Sequence, residues 1–179
     1  MKKLIVVIAW LFLIPMLALA QNADHPPRWQ GYGFVGAGTH EMSPTAGFGG
    51  EVYVFKGLGI GAEVGVGGLD IHGDQNMMIG VGSADLSYHF FPKKIRGNAA
   101  PFVAGGYTLF FGHNAADGEK DVTPDGFNIG GGVDVFATKH VGVRFDVRYH
   151  GHGGRILKYT FPDVAQFSFV AFRIGVTFR

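Results

Sequence analysis

The residues of this chain that could carry chemistry are ionisable side chains placed at alternate positions of extended, otherwise apolar segments. In the segment 140–150, for example, Arg144, Asp146 and Arg148 alternate with aliphatic and aromatic residues. Successive side chains of a β-strand point to opposite faces, so these charges would share one face. The residues that share this face in the predicted strands are Glu51, Glu63, Asp85, His89, Asp134, Arg144, Asp146, Arg148 and Arg173.

Five acids therefore face three arginines and one histidine. An unpaired charge in a low-dielectric interior is costly, so we expect these groups to form an interlocked salt-bridge network. Two functions fit such a network. It could fill and specify the interior of a barrel, or it could line a gated path for ions or protons. We predict the filled interior, with little or no conductance from the purified protein.

A second candidate is the sequence His150-Gly151-His152-Gly153-Gly154. A serine hydrolase needs a Ser beside a base that an acid orients. No Ser lies within two residues of His150, and Ser168 is predicted on the outward face of the next strand. We interpret the glycines as a loop hinge and predict no catalytic residue. The many other glycine pairs lie inside strands with no helix after them, unlike a phosphate-binding loop.

The predicted loops are rich in histidine and acidic residues, which could in principle bind Ca²⁺ or a transition metal. Their spacing matches no ligand motif, so we predict no metal site and no cofactor. Cysteine is absent, which rules out disulfides and thiolate ligands. The residues concerned are His40, Glu41, Asp70, His72, Asp74, His113, Asp117, Glu119, Asp121, Asp125, His150 and His152.

Eight segments with a period-two pattern would position these side chains. Most contain about 10 to 14 residues, close to the roughly 9–11 that a tilted transmembrane strand needs. The pattern predicts an all-β fold, an eight-stranded antiparallel up-and-down barrel. The segments are 30–39, 46–56, 58–68, 78–91, 99–112, 126–137, 140–150 and 165–178.

The composition indicates which face of each strand looks inward. Glycine makes up 30 of 179 residues and phenylalanine 17. The glycines lie mainly on the charged face, where the interior of an eight-stranded barrel leaves little room. Bulky apolar residues occupy the other face, where lipid sets no volume limit. The sequence therefore predicts a transmembrane barrel with a charged lumen; a soluble periplasmic barrel is the alternative.

The links between the segments predict how the barrel is oriented. Those after strands two, four and six are short, at 56–57, 92–98 and 138–139. The other four are mostly longer and polar, at 40–45, 69–77, 113–125 and 151–164. Short turns facing the periplasm and longer loops facing out are typical of outer-membrane barrels.

Aromatic residues near the strand ends predict two interfacial girdles, although ordinary β-propensity would also place them there. The predicted periplasmic girdle is Tyr32, Phe34, Phe55, Tyr88, Phe90, Phe91, Phe136 and Phe178. The predicted outer girdle is Phe110, Phe111, Phe127, Tyr149 and Phe167.

Residues 1–20 have the pattern of a secretory signal peptide. Lys2 and Lys3 precede an apolar run, and Ala18-Leu19-Ala20 forms a small-residue cleavage site. The run contains about 14 residues, fewer than the roughly 20 that span a bilayer. The remaining residues 21–179 form one barrel domain with 13 basic and 14 acidic residues, a formal net charge of −1. This balance argues against a nucleic-acid partner.

The chain resembles the small outer-membrane β-barrel family, which includes the membrane domain of outer-membrane protein A. The signal peptide, the eight alternating segments and the final strand, 167–179, carry the resemblance. It implies an outer-membrane location and a monomer surrounded by outer-membrane lipid and lipopolysaccharide. It also implies recognition of a terminal aromatic residue by the barrel-assembly machinery. Here Phe178 is that aromatic residue, and Arg179 follows it.

We expect a non-enzymatic structural or interaction role, with recognition through the outer loops. A narrow channel or small-solute carrier is the first alternative. A lipid A-modifying enzyme is the second, because eight-stranded lipid A deacylases carry a His-x-Ser-Asn motif near the end of their penultimate strand. This chain has His150-Gly151-His152-Gly153 in a similar place, without the Ser and the Asn.

Overall fold

A computed structural model describes residues 28–39, 42–71, 75–90, 99–112, 125–152 and 168–179. These residues form eight strands, and each strand pairs with the next in antiparallel fashion. Pairing of the last strand with the first closes the barrel. The strands are β1 (Trp29–Gly38), β2 (Met42–Phe55), β3 (Leu58–Ile71), β4 (Gln75–His89), β5 (Ala99–Gly112), β6 (Asp125–Phe136), β7 (Val141–His152) and β8 (Phe169–Phe178).

This architecture confirms the predicted fold class and all eight predicted strands. Among the described residues, no helix is long and apolar enough to cross a membrane. The predicted signal peptide, residues 1–20, lies outside the described residues.

The two faces of the strands have opposite chemistry, and their assignment is confirmed. Apolar side chains cover the outer surface; Phe48 is 67%, Ile60 54% and Val147 45% exposed. Charged side chains fill the interior, where Asp134 is 0% and Arg148 1% exposed. In a protein surrounded by water this arrangement would be reversed, because burial of apolar surface is what stabilises a soluble fold. The outer surface therefore suits hydrocarbon.

The predicted lengths of two of the longer links are wrong. The β1–β2 link contains only residues 39–41, and the β3–β4 link only residues 72–74. The strands run further because cross-strand pairing continues to the pair Ile71 and Gln75. Polar side chains do not end the pairing of two strands, because the backbone N–H and C=O groups of those residues still need hydrogen-bond partners. The β4–β5 link, predicted to be short, contains nine residues, 90–98, so the predicted alternation of short and long links is wrong as well. The two longest links, 113–124 and 153–168, both lie at the end opposite the β2–β3 turn, as predicted.

The β2–β3 turn is as short as predicted. Its two residues, Lys56 and Gly57, both have positive φ, at 29° and 94°. Positive φ at both central residues is the pattern of a type I′ hairpin turn. The turn is fixed to the neighbouring strand, because the His89 amide donates a hydrogen bond of 2.8 Å to the carbonyl of Gly57.

Glycines on the inner face make room for aromatic rings on the adjacent strand. Tyr32 lies opposite Gly49 in the β1–β2 ladder, and Phe102 lies opposite Gly132 in the β5–β6 ladder. A Cβ atom on Gly49 would lie 2.7 Å from Cζ of Tyr32, and one on Gly132 would lie 2.9 Å from Cζ of Phe102. The rings therefore occupy the volume that side chains at these glycines would need.

Two adjacent glycines of β2 allow a direct test of this packing. We expect Gly49→Ala to destabilise the barrel by about 1–3 kcal/mol, because the added methyl overpacks the lumen. Gly50→Ala is the matched control: the nearest atom to its Cβ is 3.4 Å away, so its effect should be near zero. Urea unfolding of both variants in vesicles measures the difference, and equal effects would contradict the packing argument.

Four aromatic residues assigned to the girdles lie inside the barrel instead. Their parity places them on the inner face, so being close to a strand end did not put them at the lipid interface. They are Tyr32, Phe34, Phe110 and Phe136, all at most 9% exposed. Phe90 is 7% exposed as well, but it has the outward parity of the half-buried Tyr88, and the two ring centroids lie 4.9 Å apart. Outward-facing girdle candidates are Phe55, Phe111, Phe127, Tyr149 and Phe178, which are 37–64% exposed. Phe91 and Phe167 lie outside the described residues.

Candidate functional site: the charged lumen

The structure places all nine ionisable residues of the predicted network inside the barrel. Each is at most 7% exposed, and His89 is 1% exposed. They come from β2, β3, β4, β6, β7 and β8, so the network connects strands on all sides of the lumen. It can be described in two halves, one near the β2–β3 turn and one towards the two longest links, 113–124 and 153–168. The end of the barrel that carries the β2–β3 turn is called the turn end.

The half near the turn centres on Glu51 and Asp134. His89 Nε2 lies 2.9 Å from Oε1 of Glu51, and its Nδ1 lies 3.6 Å from Oδ2 of Asp134. Nη1 of Arg144 lies 3.5 Å from the Asp134 carboxylate and 3.7 Å from the Glu51 carboxylate. Ser87 donates a further hydrogen bond to Glu51. Each of the two acids thus has several donors around it.

The other half centres on two arginines. Nη1 of Arg173 donates to Oε1 of Glu63 at 2.5 Å, and Nη1 of Arg148 donates to Oδ2 of Asp85 at 2.6 Å. Both arginines also contact Oδ2 of Asp146, Arg148 at 3.3 Å. Nε of Arg144 lies 3.8 Å from the same oxygen, so Asp146 joins the two halves. Charge-assisted contacts of this kind are stronger than those between neutral groups.

Aromatic rings hold the arginines in place as well. The guanidinium of Arg144 lies between two rings, 4.1 Å from the centroid of Tyr32 and 3.8 Å from that of Phe102. The guanidinium of Arg173 lies 4.3 Å from the ring of Phe34. A cation over an aromatic face is stabilised by the ring quadrupole, and the effect is larger where water is excluded. The inward aromatic residues thus have a clear role that the girdle prediction missed.

Neutral polar residues complete the network, and the sequence reasoning missed them because it considered only ionisable side chains. Nε2 of Gln30 donates to Asp134 at 2.8 Å, and the hydroxyl of Tyr53 donates to Oε1 of Gln30 at 2.8 Å. Nδ2 of Asn128 donates to Oδ1 of Asp85 at 2.7 Å. All lie on the inner face of their strands, so strand parity alone could have found them.

Buried apolar side chains lie beyond the network towards both ends of the barrel. Towards the long links, the cluster of Ile79, Phe110, Phe169 and Ala171 packs inside the barrel. At the turn end, Phe136 is 3% exposed, and the guanidinium of Arg179 lies 3.7 Å from its ring centroid. A small pocket beside Glu63, His150 and Arg173 has a volume of about 20 Å³. That is room for about one water molecule.

His150, the residue considered for hydrolase chemistry, is surrounded by aromatic rings. Its ring stacks on Phe169 at 4.8 Å and meets Phe110 edge-on at 6.4 Å. Within the described segments, no three His, Asp or Glu side chains are grouped as metal ligands. Most of the loop histidines and acids that were considered for a metal site lie outside those segments.

The predicted assembly residue, Phe178, lies on the outer face of β8 and is 47% exposed. It pairs with Gly31 on one side and Val141 on the other. The next residue, Arg179, is tied to the β6–β7 turn: its amide donates to the carbonyl of His140 and its Nε to that of Lys139, both at 3.0 Å. The role of Phe178 as a recognition signal stays a prediction.

Comparison with known proteins supports the fold. No protein-family model matches the sequence, and no curated protein matches it either. Among solved structures, the chain is similar to the N-terminal β-barrel domain of Pseudomonas aeruginosa OprF, with a TM-score of 0.61 and 14% identity over 84% of this chain and 95% of that one. It is also similar to Neisserial surface protein A, with a TM-score of 0.60 and 12% identity over 84% and 94%.

A third similar structure is Ail, the attachment invasion locus protein of Yersinia pestis. The TM-score is 0.55 and the identity 7%, over 84% of this chain and 95% of that one. The fold of this chain is therefore that of the small eight-stranded outer-membrane β-barrels. At these identities the similarity concerns the fold alone.

Proposed function

We propose that this protein is an exported outer-membrane β-barrel with a structural or surface-interaction role and a plugged lumen. The observation that carries the proposal is the reversed arrangement of its two faces, with an apolar exterior around a buried salt-bridge network. In this proposal residues 1–20 are removed on export, and the end that carries the β2–β3 turn faces the periplasm. The barrel is a monomer surrounded by outer-membrane lipid and lipopolysaccharide, and the assembly machinery recognises Phe178.

In this proposal the loops at the end opposite the β2–β3 turn recognise a partner. The two longest links, 113–124 and 153–168, lie at this end. Similar structures include a surface protein and an attachment protein by name, which supports a surface role of this kind. We propose no enzymatic activity; an altered lipid A mass spectrum on expression would contradict this.

The membrane-barrel part of the proposal is tested by a heat-shift gel. Protein refolded in detergent should migrate differently before and after boiling, because a closed barrel stays folded in the gel until it is heated. A soluble β-protein would usually show no such shift. Absence of the shift in protein that is folded by circular dichroism would overturn the assignment to the membrane.

The plugged lumen leads to a separate prediction. We expect purified protein in planar bilayers to show no large, stable openings, because the charged groups pair with each other and buried apolar side chains lie towards both ends of the lumen. A narrow channel is the second candidate, since five carboxylates face three guanidinium groups and two histidines in the described lumen. Stable, cation-selective openings would favour it over the plug.

A further inference from the structure

Charge is separated along the barrel axis. The three links at the turn end, 56–57, 90–98 and 137–140, contain five basic residues and no acidic ones in the sequence. The four links at the opposite end contain six acidic and three basic residues. A protein whose surface charge served only solubility would have no reason to divide it in this way.

Three exposed cations of the described chain define what we name the basic collar: Arg28, Lys56 and Lys139. Arg28 precedes β1, Lys56 joins β2 to β3, and Lys139 joins β6 to β7. In the described part of this end, the nearby carboxylates, Glu51 and Asp134, are 7% and 0% exposed and belong to the lumen. The collar therefore presents positive charge without exposed acids among the described residues.

The collar lies beside exposed aromatic rings on the apolar surface. Trp29, next to Arg28, is 56% exposed, and Phe55, next to Lys56, is 64% exposed. The ammonium of Lys56 lies 5.4 Å from the centroid of the Phe55 ring. The main chain fixes Arg28 in place, because its carbonyl accepts a hydrogen bond of 3.0 Å from the amide of Tyr53. Cations just outside an aromatic belt lie at the depth of lipid headgroups.

We propose that the basic collar binds the headgroups of anionic phospholipids in the leaflet that surrounds the turn end. The inference rests on the membrane barrel of the proposed function. Lysine and arginine near a bilayer surface attract anionic lipid, and this attraction weakens within a Debye length. The partner is a lipid because the collar continues directly into the apolar belt, where a soluble polyanion would gain no contact.

The protein contains its own probe for a test. The sequence has two tryptophans, Trp10 and Trp29, so a chain that starts at Gln21 carries only Trp29, next to the collar. This chain is inserted into vesicles of phosphatidylcholine with 20 mol% phosphatidylglycerol. Bromine, which quenches tryptophan fluorescence, is placed on the phosphatidylglycerol in one sample and on an equal amount of phosphatidylcholine in the other.

We expect about two-fold stronger quenching of Trp29 by the brominated anionic lipid, because the collar enriches that lipid locally. The ratio should fall to one in the variant Arg28→Gln/Lys56→Gln/Lys139→Gln. It should also fall at 0.5 M salt, where the Debye length shortens to about 4 Å. The control variant Lys120→Gln/Arg155→Gln/Lys158→Gln removes the same charge from links of the opposite end and should behave like the wild type.

Equal quenching by the two lipids in the wild type would overturn the inference. So would an equal fall of the quenching ratio in the collar variant and in the control variant. A cell-wall polymer is the competing partner. If the wild type co-sediments with isolated peptidoglycan and the collar variant does not, while the two lipids quench Trp29 equally, the collar binds the cell wall. The assignment to lipid would then be wrong. A chain that shows no heat shift in these vesicles has not inserted, and that result would overturn the proposed function itself.

Discussion

Replacing Val147 with arginine should destabilise the barrel in a bilayer by about 2–4 kcal/mol. Val147 lies near the middle of β7, faces outward and is 45% exposed. If the outer surface meets hydrocarbon, the guanidinium at this depth must lose its water or deform the bilayer to keep it. Reversible urea unfolding in lipid vesicles, followed by the heat-shift gel, measures the loss.

A second position on the same strand provides the depth control. Val143 also faces outward, 38% exposed, but lies only two residues from the turn-end start of β7. Near the interface an arginine side chain can reach the headgroups, so Val143→Arg should cost only about 0–1 kcal/mol. Equal and small effects at both positions would show that the outer surface meets water, and the in–out assignment would then be wrong.

Strand parity explains why so much of the fold could be predicted from sequence. The period of two is a geometric property of a strand, so charges at Arg144, Asp146 and Arg148 had to share a face wherever the strand began. Because glycine and charge lay on the same face, that face could be assigned to the narrow interior. The choice between lumen and lipid thus depended on local pattern and volume, both of which a sequence contains.

The link lengths, and the faces on which the aromatic residues near strand ends lie, could not be predicted in the same way. Polar residues such as Asp70 looked like loop, yet the β3–β4 ladder continues through them because backbone pairing does not depend on side-chain polarity. Phe136 looked like an interface residue, yet it lies inside the barrel and contacts Arg179. Position near a strand end indicates how deep a residue lies in the membrane, whereas strand parity indicates whether its side chain faces the lumen or the lipid. The girdle prediction used only the position near the strand end.

The largest effect inside the lumen is expected for Arg148→Met. Arg148 is 1% exposed and is the cation that lies 2.6 Å from Asp85, 3.3 Å from Asp146 and 3.5 Å from Glu63. Methionine keeps much of the volume but leaves these buried carboxylates with less positive charge around them. Breaking a buried network in this way typically costs about 3–5 kcal/mol, which urea unfolding in vesicles can measure.

Two further variants separate charge from packing. Arg28→Met removes an arginine from the exposed collar and should change the stability by less than about 0.5 kcal/mol. Adding Asp85→Asn to Arg148→Met removes one stranded carboxylate and should restore part of the loss, as expected for two groups in direct contact. The Asn128 amide, 2.7 Å from Oδ1 of Asp85, can still donate to the oxygen of an asparagine.

The size of the stability loss in Arg148→Met also distinguishes a plugged lumen from a channel. A lumen closed by apolar layers offers no water to a stranded carboxylate, so the full penalty should appear. A hydrated channel would solvate the same group, and Arg148→Met would then cost little more than Arg28→Met while its lumen became more cation-selective. A small loss together with new openings would therefore contradict the plugged lumen, whereas a large loss without conductance would support it.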